Sequence, residues 1–137
     1  MPFVTPREQL ALALSGANIL LASATAGSNL GGGGTATALL PIFVTRVTAG
    51  LTGVVFRVQA SQSAATGTWV VLPVYKSSDT TKALAASVTL SPAQGNSSYE
   101  GLVCDAAGLW PFVQVTAQAT GANGGSGDLC GAWMETR

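Results

Sequence analysis

Val54 to Ser61 alternates residue by residue, with Val54, Phe56, Val58 and Ala60 on one parity and Val55, Arg57, Gln59 and Ser61 on the other. A period of two puts each set on its own face of an extended strand and does not fit the longer period of an amphipathic helix. The same texture recurs downstream. Ile42–Thr48 is β-branched and aromatic and ends at Gly50, and Ala86–Leu90 alternates again before the turn pair Ser91-Pro92. Thr68–Tyr75, Ser98–Val103, Pro111–Ala119 and Leu129–Glu135 complete the set. Pro73 marks its strand as an edge or a bulge, because proline cannot donate to a ladder. Seven short strands with turn residues at intervals of about ten predict an all-β chain, an antiparallel β-sandwich or barrel of about seven strands. Val58-Gln59-Ala60-Ser61-Gln62 and Val115-Thr116-Ala117-Gln118-Ala119 echo each other faintly, which fits two similar sandwich strands better than a repeat.

The N-terminal residues read differently. Thr5-Pro6-Arg7-Glu8 is a helix start: Thr5 caps, Pro6 suits the first helical position, and Glu8 reaches back to the Thr5 amide. The helix runs through Gln9-Leu10-Ala11-Leu12-Ala13-Leu14 and stops near Gly16, barely two turns and too short to hold itself without docking. Ala17–Ala26 is apolar and extended, and Gly31–Gly34 are four consecutive glycines, which pack nothing and have maximal backbone entropy. The expected division is therefore an N-terminal arm with a short helix and a Gly-rich connection over 1–34, and a β-sandwich domain over 35–137. Leu10–Leu21 followed by Ala22-Ser23-Ala24 has some features of a secretory signal. Arg7 is paired with Glu8, however, and Ser15-Gly16-Ala17-Asn18 interrupts the apolar run, so the segment is not read as one.

Composition narrows the chemistry. Ala, Gly, Thr and Ser make up nearly half of the 137 residues, only 9% are charged, and there is no histidine. Six basic against six acidic residues remove the basic footprint that nucleic acid or an anionic membrane surface requires. Without histidine neither a Ser-His-Asp nor a Cys-His arrangement can be assembled, and the commonest metal ligand is missing. Glu100 and Asp105, five apart on a strand, fall on opposite faces as solvated charges. Ser77-Ser78-Asp79-Thr80-Thr81-Lys82 lacks the S-x-x-K spacing and reads as a polar hairpin tip. The tetraglycine is not followed by Gly-Lys-Ser/Thr, so it is no phosphate cradle. Gly124-Gly125-Ser126-Gly127-Asp128 places one carboxylate a position early for a calcium-binding nonapeptide, and calcium wants six or more oxygens. Cys104 and Cys130 either bridge neighbouring strands or are two buried thiols, and free thiols are favoured because nothing points to an oxidising compartment. The inventory disfavours an enzyme, and no metal or cofactor is expected.

Trp69, Trp110 and Trp133 lie in or beside expected strands. Core or interface packing is their commoner use; gathered on one face, Trp69, Tyr75 and Trp110 would make a sugar-stacking platform.

Glu8-Gln9-Leu10-Ala11-Leu12-Ala13-Leu14-Ser15-Gly16-Ala17-Asn18, the Ala/Gly/Thr-rich connection and the Val54–Ser61 strand together resemble small structural proteins of tailed phages. So do the G-x-W stretch Gly67-Thr68-Trp69-Val70-Val71-Leu72 and the late strand Trp110-Pro111-Phe112-Val113-Gln114-Val115-Thr116-Ala117. The resemblance covers most of the chain from about residue 8. It implies a capsid decoration (cement) protein or a neighbouring virion component, located in the virion and assembled in the bacterial host cytoplasm. The implied partner is the major capsid protein, and the implied working unit is a homo-oligomer, most often a trimer, on the outer capsid surface. Thr5, Arg7, Glu8, Leu10, Leu12, Leu14, Ile19 and Leu21 are the arm residues expected to touch neighbouring protein. No nucleic-acid or membrane partner is expected. A tail or neck component is the alternative within the particle, and a carbohydrate-binding module or adhesin using Trp69, Tyr75 and Trp110 is the alternative of another class.

Overall fold

The computed structural model describes residues 12–13, 19–24, 38–62, 69–105, 110, 112–121 and 128–132. They form ten strands: β1 (Leu12–Ala13), β2 (Ile19–Ala24), β3 (Ala38–Thr45), β4 (Leu51–Ser61), β5 (Val70–Leu72), β6 (Tyr75–Lys76), β7 (Val88–Leu90), β8 (Ser97–Cys104), β9 (Phe112–Gly121) and β10 (Leu129–Ala132). Every pairing is antiparallel. One sheet runs β1-β10-β3-β8-β6; the other runs β2-β9-β4, with β5 and β7 both on the far side of β4. The expected all-β antiparallel sandwich is what the chain forms.

The connectivity is more specific than the class. β1 pairs with β10, β2 with β9, β3 with β8, and β4 with β5 and β7, as in one long nested hairpin. That hairpin is wrapped so that β10 also meets β3 and β9 also meets β4. This is the winding of a jelly roll, with β6 added at one edge.

Period-two patterning builds the core as the sequence indicates. Val54, Phe56, Val58 and Ala60 of β4 are all fully buried, and Val113, Val115 and Ala117 of β9 face the same interior. Register matches volumes across the pair: Phe56, the largest fully buried side chain, lies opposite Ala117, so a small partner leaves room for the ring. Leu40, Ile42 and Val44 of β3, Leu102 and Cys104 of β8, and Cys130 and Ala132 of β10 close the core from the other sheet. The two stretches that echo each other in sequence are neighbours, with Val58 opposite Val115 and Gln59 opposite Gln114.

Four local expectations are modified. Leu12 and Ala13, inside the stretch read as a helix, are strand residues paired with Cys130 and Leu129, while Thr5–Ala11 and Leu14–Gly16 lie outside the described residues. A two-turn helix has too little cooperativity to compete with the backbone partners along β10. Ile19–Ala24, read as part of the arm, pairs with β9 as β2. The strand expected over 68–75 divides at Pro73: Leu72 ends β5 in one sheet and Tyr75 begins β6 in the other. Proline at that corner removes a donor that neither ladder then has to satisfy. Finally, the strand expected over 42–48 begins earlier, at Ala38, and ends at Thr45.

One end of the sandwich is closed by polar groups. Asp128, fully buried, accepts hydrogen bonds from the Val47 and Thr48 amides and from Thr48 Oγ1 in the β3–β4 turn. Arg46 donates from Nε to the Thr48 carbonyl at 3.2 Å and from its two terminal nitrogens to the carbonyls of Pro92 and Ala49 at 3.1 and 2.9 Å. Asp128, weighed in the sequence as a poor calcium ligand, is thus a turn clamp. In the same corner Gly121 has φ +84°, and a Cβ there would meet the Gly50 carbonyl oxygen at 2.5 Å, so glycine is required at the β4–β9 bulge.

Candidate interaction surfaces

Among the described residues no group of three or more His, Cys, Asp or Glu is placed to hold a metal ion. Cys104 and Cys130 are both buried and free. They lie on the two strands flanking β3, opposite Ala38 and Val44 respectively. Six residues of strand separate those partners, about 20 Å, so no bridge is within reach. Burial pushes the Cys130 thiol up to about 12. Glu100 and Asp105 are not a pair. Glu100 Oε1 and Oε2 accept from Ser77 Oγ and Ser78 Oγ at 3.0 and 2.7 Å, and the Gly101 amide also donates to it at 2.9 Å. Partial burial raises its pKa, but those hydrogen bonds outweigh it and hold the carboxyl below the usual glutamate range. Asp105 accepts from Tyr75 Oη at 3.4 Å.

The two outer sheet faces differ. On the β4–β9 face the outward positions are Arg57, Gln59, Gln114 and Gln118, tied as Gln114 Nε2 to Gln59 Oε1 at 2.7 Å and Arg57 to Gln118 Oε1 at 3.3 Å. On the β3–β8 face the outward parities are Leu39, Pro41, Phe43 and Thr45 against Val103, Gly101, Tyr99 and Ser97, without a formal charge. Tyr99 is 70% exposed and Leu39 55%. Tyr99 and Phe43 are cross-strand partners whose rings stack with centroids 5.8 Å apart and planes 26° apart. A Cβ at Gly101 would come within 2.8 Å of Leu39 Cδ1 and 2.5 Å of Ser77 Oγ, so the missing side chain is what keeps this face flat. A flat, uncharged face with a projecting tyrosine has the composition of an interface centre.

The second surface is the segment between β5 and β7. β6 pairs with the end of β8, Val74 and Ala85 form an isolated bridge, and the turn between them is organised by Asp79. The Thr81 amide and Thr81 Oγ1 donate to Asp79 Oδ1 at 2.9 and 2.6 Å, and the Ala83 amide donates to Oδ2 at 3.3 Å. These hydrogen bonds, with the one from Thr81 Oγ1 foremost, hold its carboxyl below the usual aspartate range. Lys82 follows with φ +52°, a left-handed conformation that the Asp79 turn imposes. A groove of about 500 Å³ opens here, floored by Val74, Val88, Ala83 and Ala85 and rimmed by Lys76 and Asp79.

The sequence-selected residues are distributed otherwise than expected. Tyr75 is buried on β6, where burial, and then the charge and hydrogen bond of Asp105, raise its pKa. Trp69 is half-buried before β5, in the other sheet, and Trp110 packs against the core. These three therefore occupy different settings, and the exposed aromatic ring is Tyr99, which the alternation Ser97, Tyr99, Gly101, Val103 along β8 already signalled. Of the arm residues, Leu12 is in β1, Ile19 is in β2, and Leu21 falls at the irregularity between Leu20 and Ala22. Thr5, Arg7, Glu8, Leu10 and Leu14 lie outside the described residues. No protein-family model matches the chain, and no curated protein and no solved structure matches it either.

Proposed function

We propose that this chain is a non-enzymatic virion structural protein that binds the outer surface of a phage capsid and stabilises it. Its partner is then the major capsid protein, its location the virion, and its working unit a homo-oligomer, with a trimer favoured. The observation that carries the reading is the jelly-roll winding, an architecture used by viral capsid domains and by lectins. That support is an analogy of fold, added to the resemblance of sequence; the surfaces supply the physical argument. A decoration protein binds the assembled shell and not its separated subunits, so its binding free energy adds to particle stability by mass action. Such binding needs area, complementarity and many copies, and the uncharged Leu39–Tyr99 face offers the first two.

The test is co-sedimentation of the purified chain with intact capsids. Binding at a copy number near that of the capsid subunits, with a rise in the temperature at which particles disrupt, is the expected result. A few copies per particle would move the assignment to the tail or neck, and no binding overturns it. The exposure of Tyr99 on a jelly roll favours one second reading, a carbohydrate-binding or adhesin domain. Glycan titration followed by the Tyr99 ring resonances removes that reading if the ring does not respond.

A further inference from the structure

β5 and β7 lie end to end along the same side of β4, and the register makes them two halves of one strand. Leu72 is opposite Val58 and Val88 is opposite Phe56, so a single position, opposite Arg57, separates the halves. Fifteen residues, Pro73 to Ser87, occupy that one position. They cross to the other sheet as β6, turn over Asp79, bridge back from Val74 to Ala85, and return in line at Val88. An excursion of this length from a rigid strand is where a sandwich places recognition, because its sequence is released from the demands of the ladder.

The charges point the same way. Both lysines of the chain, Lys76 and Lys82, are on this excursion. Both are exposed, and neither ammonium has a partner among the described residues. The described arginines differ: Arg46 donates to three backbone carbonyls and Arg57 to Gln118. Asp79, the single carboxylate of the excursion, is turned inward onto Thr81 and Ala83. Between them stands Leu84, 59% exposed, with its neighbours Ala83 and Ala85 lining the groove. An exposed leucine flanked by two unengaged ammonium groups complements an apolar depression rimmed by carboxylates.

We propose that residues 73–87 are an inserted docking element, dispensable for folding of the sandwich, which seats Leu84 on an acidic, folded protein surface with Lys76 and Lys82 meeting its carboxylates. The assignment rests on the decoration reading, in which that surface is the capsid exterior. The experiment is co-sedimentation with intact capsids at low and high salt, using four full-length or near-full-length proteins. These are the wild type, K76E/K82E, L84D, and a chain in which Pro73–Ser87 is replaced by one threonine joining Leu72 to Val88. The expected result is wild-type binding that weakens with salt, about tenfold weaker binding for each point variant, and a cooperatively unfolding excised chain that does not bind. Salt-independent wild-type binding, or point variants that bind as the wild type does, overturns the docking role. An excised chain that fails to fold overturns dispensability, while the point variants, placed on exposed side chains, still decide docking. Loss of self-association in place of capsid binding would assign the element to a second copy and overturn the acidic partner. A wild type that binds no capsid overturns the decoration reading itself, an outcome distinct from intact wild-type binding with unaffected variants.

Discussion

Asp128 has no exposed surface and accepts three hydrogen bonds from one turn, two of them from backbone amides. Among the described residues every buried side-chain nitrogen or oxygen has a partner, so removing this acceptor strands donors in a satisfied interior. Asp128→Ala is expected to lower unfolding stability by about 3 kcal/mol, read as a shift of the urea midpoint at unchanged slope. A loss below about 0.5 kcal/mol would mean that water replaces the carboxylate at no cost. The thiols give a second prediction at this scale. Cys130 is buried and its pKa is pushed up to about 12, and Cys104 is buried as well. Under native, non-reducing conditions neither should react with a thiol reagent at neutral pH, and two equivalents should be released on denaturation without reductant. One equivalent or none would indicate oxidation that the strand register does not permit within one chain.

Among the elements, the edge strands are short and individually guarded. β6 covers only two residues of β8, and beyond its end Glu100 occupies a position whose partner, Ile42, faces the core. A charged group with inward parity at an open edge obstructs pairing with another sheet. Its three donors, Ser77, Ser78 and Gly101, belong to β8 and the adjoining excursion, so the carboxylate also ties those two together. The folded-state pKa lies below the ordinary value of about 4.5, so this tie contributes above that value and is lost as pH falls through the folded pKa. Thermal unfolding temperatures measured from pH 6 down to about pH 3 should therefore decline, and Glu100→Gln should flatten the acid limb. An unchanged acid limb would place the linkage elsewhere, with Asp79 the next group depressed in the same direction. Much at this scale was legible beforehand: the faces of β4 follow from Val54, Phe56, Val58 and Ala60 alone. Pro73 signalled an edge, but not that the chain changes sheets there, because a missing donor says nothing about which ladder comes next.

For the whole molecule, β1 and β2 alter how the N-terminal segment has to be tested. They supply an outer strand to each sheet, beside β10 and β9. Removing residues 1–26 strips both strands and bares the edge of β9, a ten-residue strand. That truncation should lower the unfolding temperature and promote aggregation irrespective of any capsid contact. Removing residues 1–11 leaves both strands in place and isolates the contribution of Thr5, Arg7, Glu8 and Leu10. Retained stability with weakened capsid co-sedimentation is the outcome expected of a contact arm, and undiminished binding would exclude these residues from the interface.

The sequence by itself determined the class of fold, the two faces of each main strand and the absence of histidine chemistry, because period, turn residues and inventory are local properties. Tertiary structure alone decided the jelly-roll winding, the strand character of Leu12–Ala13, the separation of Cys104 from Cys130 and the splitting of one strand by residues 73–87. Each of these depends on which distant backbone offers unpaired amides and carbonyls. Nearly half the chain is Ala, Gly, Thr and Ser, and side chains that small select a partner strand only weakly. The large residues at fixed parity, Phe56 against Ala117 and Tyr99 against Phe43, therefore set the register that the small ones follow.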